Sequence, residues 1–305
     1  MSSQFLNRSL LREVTKSPIS ASYTRITPAL PAISRPFASN SAPRPSSLAV
    51  LQHVRSHPSP HTRRAASRLA QAIMPRPGSS TENYVAYGMT QKLFEACSTQ
   101  ADYSIPQVAQ KGAQVPKTEG GEDLGVGTGW WYEELGLLPT FSTWSQVTFL
   151  HMYLLTVRLR ALPSRDSLQT YSRHLIDHFS HSAEHRMDVL HGFTSRAIRN
   201  KFLKDLFIQW RGILAAYDEG LVKGDAVLGA AVWRNLWKAS YNAPDGSELD
   251  WAKIAQVVAY MRRVTADLAQ MSEADLVTHL AQSTGGKPAV FGYSELDKRL
   301  VEAKR

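Results

Sequence analysis

The sequence predicts an all-α protein, a bundle of about six or seven helices preceded by a disordered presequence and linker. Three observations carry that expectation. Across residues 81–305 apolar side chains recur at three- and four-residue steps, and nothing alternates with period two for long. At 43% hydrophobic and 9% aromatic, the 305-residue chain can bury a sizeable core. Its charge is also partitioned. Residues 1–80 hold eleven of the 35 Lys and Arg but only one of the 26 acids, Glu13, a balance of +10; residues 81–305 carry 24 basic and 25 acidic groups, a balance of −1. The formal +9 therefore belongs to the first quarter of the chain, and the body is near neutral. A single cysteine, Cys97, leaves no intramolecular disulfide and no multi-cysteine zinc site.

The first quarter reads as an address. Phe5, Leu6, Leu10, Leu11 and Val14 share one helical face while Arg8 and Arg12 lie on another, the Arg-rich, acid-poor pattern of an organellar presequence. A secretory signal needs an unbroken apolar core of roughly 7–15 residues, which is absent. Arg35-Pro36-Phe37 followed by Ala38-Ser39 resembles a mitochondrial processing site, so residues 1–37 are read as a mitochondrial presequence. The alternative is a basic tail that stays attached and binds phosphates. Residues 38–80 remain rich in Pro, Ser and Arg and form a linker from which no core can be built.

Within the body, 81–305, a first helix is expected over Tyr84–Ala101, with Gly88 a weak point. A Gly- and acid-rich loop, expected to be mobile, follows over Lys111–Gly129. Thr143-Trp144-Ser145-Gln146 has the form of a capping box, and the helix it opens runs to about Leu162, before Pro163. Its apolar stretch of about 14 residues falls short of the ~20 that a bilayer span requires. That leaves a buried central helix or an interfacial one resting on a membrane. The next helix starts near Ser164 or Asp166, carries an apolar stripe of Tyr171, Leu175, Phe179, Ala183, Met187 and Leu190, and stops at Gly192. From Ser195 another presents Ile198, Phe202, Leu206, Trp210, Ile213 and Tyr217 on one face and ends at Asp218-Glu219-Gly220. Asp225 caps a helix over Ala226–Ser240, Tyr241–Glu248 is a turn, and Asp250 opens a helix reaching about Gln270. Ser272 and Asp275 cap a last short helix.

No catalytic set emerges. Gly125-Val126-Gly127-Thr128-Gly129 lacks the flanking strand and helix of a dinucleotide loop, and Gly285-Gly286-Lys287 is followed by Pro288 rather than Ser or Thr. His174, His178, His181, His185 and His191 fall within 18 residues, with two i, i+4 pairs that suit a shared metal. Yet no carboxylate stands in a His-Glu-x-x-His frame and the chain contains no Glu-x-x-His. A polar helix face accounts for them, and no metal or cofactor is assigned. Asp218 with Glu219 reads as a cap or ion-pair partner rather than an acid/base pair. Trp130-Trp131-Tyr132 is a binding surface or part of the core.

Several motifs, in order, resemble the ubiquinol–cytochrome c reductase (bc1 complex) assembly chaperone family in its fungal mitochondrial form. They are Leu138-Pro139-Thr140-Phe141-Ser142-Thr143-Trp144, Tyr217-Asp218-Glu219-Gly220, Gly224-Asp225 and Ala230-Ala231-Val232-Trp233-Arg234-Asn235. The resemblance covers roughly residues 82–270. It implies a non-catalytic protein on the matrix side of the mitochondrial inner membrane, peripherally associated. It also implies a small assembly-factor partner, newly synthesised cytochrome b as client, and the mitochondrial ribosome near its exit tunnel. Partner or client contacts are expected on Trp130, Trp131, Tyr217, Asp218, Glu219, Gly220, Trp233, Arg234 and Trp237. Two alternatives stand beside this: a helical metalloenzyme using the His174–His191 helix, and an RNA- or ribosome-binding module using Arg196, Arg199, Lys201 and Lys204.

Overall fold

The computed structural model describes residues 80–110, 112–272, 275–276, 280, 290–294 and 297, with residues 80–83 described by backbone alone. All of these belong to the larger of the chain's two units, Ala66–Arg305. The presequence, nearly all of the linker, and Gly285-Gly286-Lys287 lie outside the described residues. Seven α-helices occur among the described residues: α1 (Ser80–Ser98), α2 (Trp130–Glu133), α3 (Phe141–Leu159), α4 (Arg165–Val189), α5 (Arg196–Lys223), α6 (Asp225–Leu236) and α7 (Trp251–Gln270). A 3-10 turn, Pro106–Ala109, falls between α1 and α2. Among the described residues, extended pairing is confined to the isolated bridges Ser104–Val126, Lys117–Asp123 and Asn242–Glu248.

Helix α3 is the axis. Every residue from Thr143 to Thr156 is buried, because α1, α4, α5, α6 and α7 all pack on it. A helix apolar on all sides belongs in a core, which decides between the two expectations for it: α3 is a central helix and offers no face to a membrane. Each fully buried Leu, such as Leu150, Leu154 or Leu155, contributes about 1.5–3 kcal/mol relative to exposure. Its buried polar groups are mostly matched. His151 Nδ1 donates to the Val147 carbonyl at 2.7 Å, and its Nε2 lies 2.7 Å from the Tyr260 hydroxyl on α7. Trp144 Nε1 donates to the Ser98 carbonyl at 3.0 Å and so fastens α3 to the end of α1. No helix among the described residues is long and apolar enough to cross a membrane.

The local signals were mostly in register, with instructive exceptions. Ser164 and Asp250 cap α4 and α7, each accepting a backbone N–H in the first turn. For α3 the cap is Thr140 rather than Thr143. The Thr140 hydroxyl accepts from the Thr143 N–H, while Gln146 donates sideways to Gln209 on α5 at 2.8 Å instead of reaching back. Asp225 is the first residue of α6, not its cap; Gly224, with φ of 110°, occupies that place. Helix α6 stops at Leu236, short of Ser240, because Lys238 and Ala239 turn into the left-handed region with φ of 52° and 57°.

Residues 112–129 of the Gly- and acid-rich loop are anchored at several points. They pair with residue 104 and among themselves, and His191 bonds Asp123 at 2.9 Å. Gly125 and Gly127 permit this, since a Cβ at either would strike the backbone or ring of Ser104, Tyr103 or Tyr132.

Candidate functional site

The residues singled out as partner contacts fall into two groups, core and rim. Trp130 and Trp131 belong to α2 and are 9% and 2% exposed; of binding surface and core, they are core. Trp130 stacks on Tyr293 at 4.5 Å, and Trp131 meets His151 and Tyr260 edge-on. Tyr217 is fully buried against Tyr153, ring centroids 5.3 Å apart, and Trp237 is 5% exposed.

Tyr217–Gly220 is not a turn. Helix α5 continues through it to Lys223. A glycine inside a helix does not end it unless the backbone goes left-handed, and that change comes at Gly224. Gly220 serves packing instead: it is buried where α5 meets α6, against Leu228.

The rim is built of latched charges. Arg160, just past α3, grips Asp218 with both guanidinium nitrogens, Nη1 to Oδ1 at 2.6 Å and Nη2 to Oδ2 at 3.0 Å. The Tyr153 hydroxyl donates to the same carboxylate at 3.1 Å. Burial first, and the Asp218 charge second, push the Tyr153 hydroxyl well above its ordinary pKa. The Asp218 hydrogen bond in turn raises that of Arg160. Glu219, one residue on, points to water and pairs with Lys223 at 2.7 Å; that hydrogen bond, then the charges of Lys223 and Arg234, hold its carboxyl below the usual range. Arg262 from α7 donates to the carbonyls of Leu221 (3.1 Å) and Gly220 (3.4 Å) and to Asp225 (3.0 Å). The Leu221 carbonyl is one that the end of α5 leaves open, whereas Gly220 already accepts from the Gly224 N–H at 3.1 Å; Arg262 also places a cation where the helix dipole favours one. The two acids thus point apart and each has its own cation, an arrangement that fixes a surface and offers no shared proton.

Beyond this corner Trp233 is half-buried, its Nε1 donating to the Ser240 carbonyl at 2.7 Å. It touches Tyr241 and Trp251, centroids 5.1 and 5.7 Å away, which are 67% and 49% exposed. Arg234 is exposed beside it. Asp218, Glu219, Trp233 and Arg234 are therefore the candidates that reach solvent.

The histidines disperse. His178 lies 3.2 Å from both Thr90 Oγ1 and the Tyr87 carbonyl on α1. His191 bridges the Tyr103 hydroxyl at 2.7 Å and Asp123, while His181 and His185 face solvent. Among the described residues no group of three or more His, Cys, Asp or Glu is placed to hold a metal. Of the basic quartet, Arg199 is spent on Glu184, Asp188 and two loop carbonyls; Arg196, Lys201 and Lys204 stay exposed.

Sequence reasoning missed Arg160, Tyr153 and Arg262. Each lies 37 or more positions from the groups it holds, and no local spacing announces such a pair.

Residues 133–282 match the family described as ubiquinol-cytochrome C chaperone. Over 157 residues the chain is 34% identical to "Protein CBP3, mitochondrial" of Saccharomyces cerevisiae, covering 52% of this chain and 45% of that protein. Over 146 residues it is 27% identical to ubiquinol-cytochrome-c reductase complex assembly factor 1 of Xenopus laevis, covering 48% and 68% respectively. The chain thus spans about half the length of the yeast relative. A crystal structure of the Cbp3 homolog from Brucella abortus aligns with a TM-score of 0.47 at 15% identity, covering 72% of this chain and 95% of that one.

Proposed function

Because the chain belongs to the ubiquinol–cytochrome c chaperone family, we propose that it is a mitochondrial assembly factor for complex III, the cytochrome bc1 complex. The observation that carries this is the family match over residues 133–282, which runs from the end of α2 through α7 and contains the whole Asp218–Arg160 corner. The finer reading is that it binds a small assembly-factor partner at that corner and stabilises newly made cytochrome b beside the mitochondrial ribosome. It works on the matrix side, in peripheral contact with the inner membrane. The role is non-catalytic. A fixed surface of paired charges with half-buried aromatics at its edge suits recognition, where aromatics and Arg give most of the binding energy.

Affinity purification of the tagged full-length chain from gently solubilised mitochondria, with mass spectrometry, tests this. Recovery of cytochrome b, one small stoichiometric protein and large-subunit ribosomal proteins is expected. Recovery of the bait alone overturns it.

A further inference from the structure

The solvent face of α5 gathers four exposed cations that stand outside the ion pairs of the body. Arg160, Arg186, Arg199, Arg262, Arg263, Lys117, Lys223 and Lys238 all sit in ion pairs. Arg196, Lys201, Lys204 and Arg211 are exposed and pair with no carboxylate among the described residues. The same helix exposes large apolar side chains: Ile198 is 38% exposed, Phe207 47% and Ile208 66%. At 3.6 residues per turn, Lys201, Lys204, Phe207, Ile208 and Arg211 share an arc of roughly 120°. Leu206, Trp210, Ile213 and Tyr217 occupy the opposite, buried side. One turn of this face after another therefore offers unneutralised cations interleaved with Phe and Ile, on a body whose net charge is −1. Phe207 is also held from behind, lining a shallow groove with Ile176 and Leu203.

A wholly aqueous face leaves Phe207 and Ile208 in water with nothing gained. Nucleic acid would engage the cations through phosphate and still leave Ile208 wet. A phospholipid surface takes both sets of groups, phosphate at the headgroup level for Lys and Arg and the acyl boundary for the apolar side chains. We propose that the solvent face of α5 is the surface on which the protein lies against an anionic phospholipid bilayer. Arg196, Lys201, Lys204 and Arg211 stand at the phosphate level, and Phe207 and Ile208 enter the boundary beneath it. This gives a place to the peripheral membrane contact of the functional reading above and rests on that part of it alone.

The basic first quarter of the chain will itself attract anionic vesicles, so sedimentation alone does not discriminate. An environment-sensitive fluorophore at Ile208→Cys does. Cys97 is fully buried and its thiol is pushed up in pKa by burial, so labelling goes to position 208. The full chain is titrated with phosphatidylcholine vesicles with and without phosphatidylglycerol, and a second label at Tyr241→Cys reports a remote surface.

A blue shift at 208 but not at 241, only with phosphatidylglycerol, is expected. The lipid concentration giving half that shift should rise about 100-fold in Lys201→Gln/Lys204→Gln/Arg211→Gln, at about fivefold per cation. Water-like emission from 208 while the protein sediments overturns the proposal, as does an equal shift with phosphatidylcholine alone. A shift at 208 on adding ribosomal RNA without lipid assigns the face to nucleic acid and overturns it too. None of these measurements involves a complex III component, so their failure leaves the assembly-factor reading untouched.

Discussion

A Cβ built on Gly220 would lie 2.6 Å from the Leu228 α-carbon and 2.9 Å from its Cβ, so α5 and α6 meet backbone to backbone at this one residue. Leu228 is fully buried, and its α-carbon and Cβ cannot give way cheaply. Gly220→Ala must therefore push the helices apart, a cost of about 1–3 kcal/mol. Gly212, also inside α5, has nothing within 4 Å of such a Cβ. There the ordinary helix preference applies, and Gly212→Ala should stabilise by up to ~1 kcal/mol. Opposite signs for the same substitution in one helix, measured by denaturant unfolding, check the packing argument. Equal signs would refute it.

Asp123 gives the fold an acid-sensitive clasp. Burial works to raise its pKa, but hydrogen bonds from His191 and Lys117 outweigh that and hold the carboxyl below its ordinary value. A carboxylate depressed in the folded state binds its proton more readily in the unfolded chain. Its contribution is therefore complete above the unfolded pKa of about 3.9 and is lost as pH falls through the lower folded value. Asp123→Asn, which mimics the protonated acid, should cost about 2 kcal/mol between pH 5 and pH 7. The difference from the parent should then shrink steadily below about pH 4. Unfolding midpoints across that range decide it; a difference independent of pH would mean that the charge is irrelevant.

What the sequence made legible here was short-ranged. Ser164 and Asp250 announce their helices because a cap is satisfied within three residues, and the stripes of α4 and α5 repeat within one helix. What it hid was paired over distance. Asp218-Glu219-Gly220 looks like a stop because polar residues and glycine end helices, yet its glycine answers to Leu228 eight positions on and its aspartate to Arg160 and Tyr153 on another element. Trp130 and Trp131 stayed ambiguous because a four-residue helix has no period to read. The same holds for Gly125 and Gly127, whose loop is tight because Tyr103, Ser104 and Tyr132 stand against it.

His178 should make stability fall on mild acidification. Burial depresses its pKa; the Tyr87 carbonyl opposes this and the neighbouring His174 and His181 add to it, with Asp177 a minor counterweight. Thr90 and Phe94 complete its surroundings from α1. The unfolded chain then takes up a proton at about pH 6.5 that the folded one refuses until lower pH, so stability drops across that interval. His178→Gln, which keeps a donor for the carbonyl but cannot charge, should flatten the loss between pH 7 and pH 5. Thermal midpoints at both values suffice. An unchanged slope would place the titration elsewhere.

The partner corner can be probed without disturbing the fold if the right residues are chosen. Asp218 is a poor probe. Its side chain is 40% exposed, but the bidentate Arg160 and the Tyr153 hydroxyl make it structural, and Asp218→Ala should cost about 1 kcal/mol. Glu219 and Arg234 are exposed, and Glu219 makes only a surface pair with Lys223. Glu219→Lys and Arg234→Glu should each leave the thermal midpoint nearly unchanged. Each should nonetheless lower recovery of the small partner at least about tenfold, because like charges across a docked surface cost several kcal/mol. Normal recovery from both variants would move the partner site off this corner. Weakened recovery with an equally lowered thermal midpoint would show that the charges serve only the fold.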